Sequence, residues 1–178
     1  MALFDLSIPT VLRREGGFVN DPNDPGGATN YGVSLRWLKA QGLFDELVIE
    51  EGDLTHDQVM VIRKMTQSDA MAFYRQYWWD KYNYGAILPQ MVATKILDMA
   101  VNLGAPRAHR MVQDALQNVR IDGILGPVSM ALINGMNSLT LILDLQTLQA
   151  QFYRNLVLAN PARQKFLVGW LNRAYDRN

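Results

Sequence analysis

Residues 89–104 read PQMVATKILDMAVNLG. Val92, Ile96, Met99 and Leu103 recur at spacings of 4, 3 and 4, the period of one helical face, and Gly104 supplies a stop. The segment is expected to be the central core helix, packed along that stripe. Downstream, a further helix is expected from Pro106 to about Val119. IDGILGP at 121–127 then makes a tight turn, with Pro127 in the first turn of a short helix. Leu141, Leu145, Leu148, Phe152 and Leu156 mark a long helix over 139–159, and Pro161 opens a last one carrying Phe166 and Trp170.

Upstream, an amphipathic helix is expected over about 6–15, with Ile8, Val11 and Leu12 on one face and Gly16-Gly17 to end it. FVNDPNDPGGATNYGVS is dense in turn formers and reads as loop with one hairpin. Ser34 can cap a short helix running to about Ala40, and an acidic loop follows from Gly42 to Asp53. Thr55-His-Asp-Gln58 and Thr66-Gln-Ser-Asp69 have the form of capping boxes, so helices should start near 56 and 67, the second reaching about Trp79. Its aromatics Phe73, Tyr74, Tyr77, Trp78 and Trp79 are expected mainly in the core, with a minority free to line a cleft. The fold class is mainly α, and no repeat points to a solenoid.

Composition narrows the chemistry. The 178 residues are 49% hydrophobic, enough for one well-filled core. With no cysteine, thiol nucleophiles, disulfides and thiolate metal sites are excluded. His56 and His109 are the only histidines, too far apart for HExxH or a zinc cluster, so no metal or organic cofactor is expected. The amino terminus does not have the pattern of a secretory signal, and no apolar stretch reaches the length of a membrane span, so stable membrane insertion is not expected. Formal net charge is zero, but residues 1–60 hold 4 basic against 10 acidic side chains and residues 61–178 hold 13 against 7. A basic half suits an anionic polymer or, equally, ordinary solvated helix faces. Arg107, Arg110 and Arg120 allow a nucleic-acid reading in principle, but no nucleic-acid partner is expected.

Glycoside hydrolysis needs a protonated carboxylic acid and usually a second carboxylate across a cleft. Glu15 ends a helix, and Asp21 and Asp24 follow in a glycine-rich loop that can fold back beside it. Thr29 lies five residues beyond Asp24. The order offers an acid, a base and a hydroxyl to hold water. The bland alternative is that an Asp in DPNDPGG makes an Asx-turn. Glu15 stands apart from Glu46, Glu50 and Glu51, the other glutamates, which cluster in the acidic loop.

EGGFVNDPNDPGGATNYGVS at 15–34 resembles the signature of glycoside hydrolase family 108, an EGGY-type motif followed by D-x-GG-x-T-x-x-G. Phe18 stands where tyrosine is usual. ILDMAVNLGAPRAHRMVQDALQ at 96–117 is similar to the family's D-x-x-x-N-x-G-x-x-x-A segment. IDGILGPVSMALI at 121–133 resembles the DGxxGPxT turn that opens its peptidoglycan-binding-like region, with Ser129 in place of threonine.

The resemblance implies a lysozyme-like helical fold, with a catalytic region at 1–104 and a helical peptidoglycan-binding-like region at 105–178 packed on it. It implies an endolysin-like N-acetylmuramidase cleaving the β-1,4 bond between N-acetylmuramic acid and N-acetylglucosamine, with Glu15 as the acid. By similarity to the Glu-Asp-Thr triad of phage-type lysozymes, Asp24 and Thr29 would position the attacking water, with Asp21 as the rival to Asp24. Asp21, Tyr31, Asp98 and Asn102 are expected at the substrate, although Asp98 and Asn102, four apart on one helix, could equally pin a neighbouring loop. The implied partner is the peptidoglycan glycan strand. A monomer made in the bacterial cytoplasm is expected, reaching the periplasm or cell wall through a holin or a secretion system. The competing reading is a peptidoglycan-binding module without catalysis.

Overall fold

The computed structural model describes residues 1–20, 27–43 and 58–176. Helix α1, Phe4–Glu15, leads to a hairpin of β1, Thr29–Asn30, and β2, Val33–Ser34. Short helices α2, Leu35–Ala40, and α3, Gln58–Lys64, follow. Helix α4, Gln67–Tyr74, runs into a π-helical segment, Arg75–Asp80. Then come α5, Gln90–Leu103; α6, Ala105–Leu116; α7, Pro127–Gly135; α8, Ser138–Ala159; and α9, Leu167–Ala174. The architecture is mainly α, with a two-stranded hairpin after the first helix, as the residues imply.

Local signals act where the sequence puts them. The Ser34 hydroxyl accepts from the Trp37 N–H at 3.1 Å, and Thr66 and Asp69 cap each other reciprocally, interactions worth about 1 kcal/mol each. The proposed Thr55 cap and most of the acidic loop lie outside the described residues. Helix α1 starts two residues earlier than expected because the Gln90 side chain bonds both the N–H and the carbonyl of Leu3, and Phe4 packs edge-on against Trp79. Helix α6 stops at Leu116, short of Val119, where Gln117 turns to φ +62°. Pro161–Phe166 forms a 3₁₀ segment before α9 rather than one continuous helix.

Helix α5 is more enclosed than a one-sided stripe requires. Beyond Val92, Ile96 and Met99, it buries Ala93, Leu97, Ala100, Lys95 and Asp98, because α1, α6 and α8 pack around it. Leu103 instead joins a smaller cluster with Tyr153, Trp170 and Leu171. The main core runs without a break from Ala2 through α5 and α6 to Leu145 in α8. Among the described residues, no single helix is long and apolar enough to cross a membrane.

The IDGILGP turn is clamped from below. Buried Gln113 accepts from the Gly123 N–H at 2.7 Å and donates to the Asp122 carboxylate and the Ile124 carbonyl. His109 Nδ1 lies 3.0 Å from the Gly123 carbonyl, which can only accept, so Nδ1 carries the proton and Nε2 accepts from the Tyr84 hydroxyl at 2.7 Å. Burial lowers the pKa of this neutral imidazole, against a smaller opposing effect from the Gly123 hydrogen bond. In the unfolded chain the imidazole protonates below about pH 6.5. Its contribution to stability is therefore present above that value and lost as pH falls toward the lower folded pKa. The thermal midpoint is expected to fall on acidification from neutral pH, and His109→Gln should flatten that fall. An equally steep fall in the variant would assign the acid sensitivity to other groups.

Candidate active site

Glu15 is the last residue of α1, and Gly16, at φ +71°, turns the chain away. The hairpin then returns over it. Asn30 anchors the hairpin by donating from Nδ2 to the carbonyls of Ile62 and Met65 at the end of α3, at 3.0 and 3.1 Å. The two-residue turn Tyr31–Gly32 has positive φ at both positions, 48° and 80°, the form a tight antiparallel hairpin favours. A Cβ built on Gly32 would lie 2.8 Å from Glu15 Cγ, so this turn rests directly on the glutamate. The Tyr74 hydroxyl donates to the Tyr31 carbonyl at 2.9 Å and closes the packing. Burial and then the nearby Glu15 charge push the Tyr74 pKa far upward, so the phenol stays a proton donor at the turn.

Beneath the turn lies a charged network. The Glu15 carboxylate accepts from Arg173 Nη2 at 2.6 Å, and its side chain keeps 18% exposure. The same Arg173 grips Asp98, with Nη2 to Oδ1 at 2.9 Å and Nε to Oδ2 at 3.4 Å. Arg14 donates to Asp98 Oδ2 at 2.6 Å and to Asp176 Oδ1 at 2.9 Å. Lys95 donates to the Ala174 carbonyl at 2.6 Å and pairs with Asp176. Glu15, Asp98 and Asp176 thus meet Arg14, Lys95 and Arg173, and the cluster is formally neutral. Neutrality matters because Asp98 is 1% exposed, and an unpaired carboxylate there would cost several kcal/mol.

The structure places the sequence-derived site residues differently from one another. Asp98 has both oxygens engaged by guanidinium groups and faces the interior, where it fixes Arg14 and Arg173. Asn102 is exposed, its Oδ1 accepts from the Tyr153 hydroxyl at 2.5 Å, and the residue lines an adjoining cavity. That cavity, about 330 Å³, is also lined by Arg14, Gly169, Trp170, Asn172 and Arg173. Thr29 sits in β1, its hydroxyl donating to the Gly27 carbonyl at 3.3 Å. Tyr31 forms the hairpin turn over Glu15. Asp21 and Asp24 lie outside the described residues. Phe18 packs beneath the Arg63 guanidinium, 4.7 Å from its ring centre, a contact that needs no hydroxyl.

Arg14, Tyr74 and Arg173 belong to this site and were not singled out by sequence. Tyr74 carries no sequence signal beyond that of one aromatic in a group expected mainly in the core, with a minority free to line a cleft. Arg173 is 158 residues from Glu15 and carries no local signal. Of the expected aromatics, Tyr74 and Trp79 are core, while Phe73, Tyr77 and Trp78 stay partly exposed around Trp37. Trp170 stacks with both Tyr153 and Phe166, a contribution to packing. Asp122 is tied into its turn by Gln113, as a structural residue would be. No group of three or more metal-ligating side chains occurs among the described residues.

A glutamate at the end of a helix, under a hairpin and paired with an arginine that lines a cavity, in a mainly helical fold, has the form of a lysozyme-like glycoside hydrolase. The Glycosyl hydrolase 108 family matches residues 8–104, and a Predicted Peptidoglycan domain matches residues 107–175. The chain belongs to glycoside hydrolase family 108, and peptidoglycan is its substrate. It is similar to the solved structure of Brucella abortus SagA, at 28% identity and a TM-score of 0.73 over 98% of this chain and 92% of that one. A search of curated proteins gives no match.

Proposed function

We propose that this glycoside hydrolase is an N-acetylmuramidase, cleaving the β-1,4 bond from N-acetylmuramic acid to N-acetylglucosamine with Glu15 as general acid. The observation that carries the reading is the position of Glu15, the glutamate of the family-matched EGG segment. It is partly exposed, covered by the hairpin and held at one oxygen. Protonation of the glycosidic oxygen breaks the bond to the leaving sugar. Asp24, with Asp21 as its rival, is assigned to activate the water that attacks the anomeric carbon, and Thr29 to hold that water. Separation of the two carboxyl groups decides stereochemistry: roughly 6.5–9.5 Å leaves room for the water of an inverting route, and roughly 5–5.5 Å favours a covalent, retaining one. Asn102 Nδ2 offers a hydrogen bond to a hydroxyl or acetamido oxygen of the strand. Because the substrate lies beyond the cytoplasmic membrane, the enzyme acts as a monomer in the periplasm or cell wall, reached through a holin or a secretion system in an endolysin-like role.

The test is mass spectrometry of muropeptides released from purified Gram-negative sacculi in H₂¹⁸O. Reducing-end N-acetylmuramic acid carrying one ¹⁸O is the expected product. Reducing-end N-acetylglucosamine would reassign the bond. Anhydro products without label would replace hydrolysis by intramolecular transfer. No new ends, with retained pelleting on sacculi, would leave a binding module.

A further inference from the structure

We propose that Arg173 is a positioning residue for Glu15, so that the carboxy-terminal region completes the catalytic centre in addition to any part it has in holding the wall. The inference rests on the reading of Glu15 as the acid. Arg173 lies within the segment matched by the peptidoglycan domain, yet its guanidinium is 2.6 Å from the glutamate of the hydrolase segment. The contact is built from both sides. Asp98, buried in α5 and fixed in turn by Arg14, takes Nε and Nη2 of Arg173 on its two oxygens and so sets the guanidinium plane. The carboxy-terminal helix is fastened at its end by the Lys95 hydrogen bond to the Ala174 carbonyl. Asp176 just beyond it is held by Arg14, Lys95 and Gln146.

This geometry has a chemical consequence at a named atom. Arginine has donors only, so Oε1 of Glu15, which accepts from Arg173, cannot also carry the acidic proton toward that guanidinium. The proton is left to Oε2, and the rotamer of a flexible glutamate at a helix end is fixed. The observed ion pair is the state that follows proton transfer: once Oε2 has given its proton to the glycosidic oxygen, the carboxylate charge rests against a cation already in place. No reorganisation is then needed in the transition state. A lysine at 173 keeps the charge but lacks the planar fork that spans Glu15 and Asp98 together.

The full-length chain is assayed on sacculi as Arg173→Lys, Arg173→Ala, Glu15→Gln and Arg154→Ala, well below each variant's thermal midpoint, with kcat and KM separated and pelleting on sacculi recorded. Arg154→Ala is the control, since Arg154 is an exposed cation of the same region whose contact is with the Tyr175 hydroxyl, at 3.5 Å, rather than with Glu15, Asp98 or Arg173. Arg173→Lys is expected to lower kcat about 10-fold and Arg173→Ala about 100-fold, the scale of a misplaced catalytic group, with KM and pelleting near wild type. Arg154→Ala should keep the wild-type kcat. Wild-type kcat in folded Arg173→Lys would overturn the proposal, whatever the fate of the alanine variant. Loss seen only as raised KM and weaker pelleting would overturn it too, by assigning Arg173 to wall binding. Full activity of Glu15→Gln alone would remove the reading of Glu15, a failure separate from that of Arg173.

Discussion

Glu15→Gln is expected to reduce release of new reducing ends from sacculi by about 10²–10⁴-fold, the range lost when a general acid is removed. Glutamine keeps the length and an oxygen that still accepts from Arg173 at the Oε1 position, so the hairpin above it and the Asp98 network below it retain their partners. What is lost is the transferable proton. Folding should therefore persist, at a cost of about 1–2 kcal/mol for exchanging a charged acceptor for a neutral one. Glu15→Asp separates position from charge: it keeps an acid but withdraws it by one methylene, and a displacement of that size costs about 10²-fold. Reducing-end assays with circular dichroism as a folding control check both. Activity of Glu15→Gln within 10-fold of wild type would place the acid elsewhere, since about 10² is the smallest loss a general acid gives.

The contrast between Glu15 and Arg173 shows what a sequence can carry. Helices and their ends were legible because their causes are local. Ser34 and Thr66 cap within three residues, Gly104 stops α5, and Pro127 opens α7. The glutamate was legible because it ends such a helix inside a recognisable segment. The guanidinium that holds it was not, since nothing near Arg173 distinguishes it from other cations in the basic half. The burial of Lys95 and Asp98 was hidden for the same reason: a helical stripe shows one packed face but not the neighbours that arrive from distant parts of the chain. Asp98 could be read as facing substrate or pinning structure, and only the arrival of Arg14 and Arg173 engages both its oxygens. At the IDGILGP turn, glycine and proline announced the bend, while Gln113 and His109, which brace it, looked like ordinary members of an amphipathic helix.

Gly32→Ala should impair folding and catalysis together, because one methyl group meets two constraints at the same point. The backbone there has φ +80°, in the left-handed region that side chains rarely adopt, a strain of about 1–3 kcal/mol. The added Cβ would also overlap the Tyr74 hydroxyl and approach Glu15 Cγ and Cβ to 2.8 and 2.9 Å. Tyr74 is 1% exposed and cannot swing away without breaking its bond to the Tyr31 carbonyl, so the yielding part must be the hairpin or the Glu15 side chain. Either movement displaces the acid from Arg173. The expected result is a lowered thermal midpoint and, in the molecules that remain folded, a fall in kcat of about 10-fold or more. Thermal unfolding followed by rate measurement below the new midpoint separates the two effects. Wild-type kcat in the folded fraction would mean that the hairpin tip only covers Glu15 and does not set where its proton is aimed.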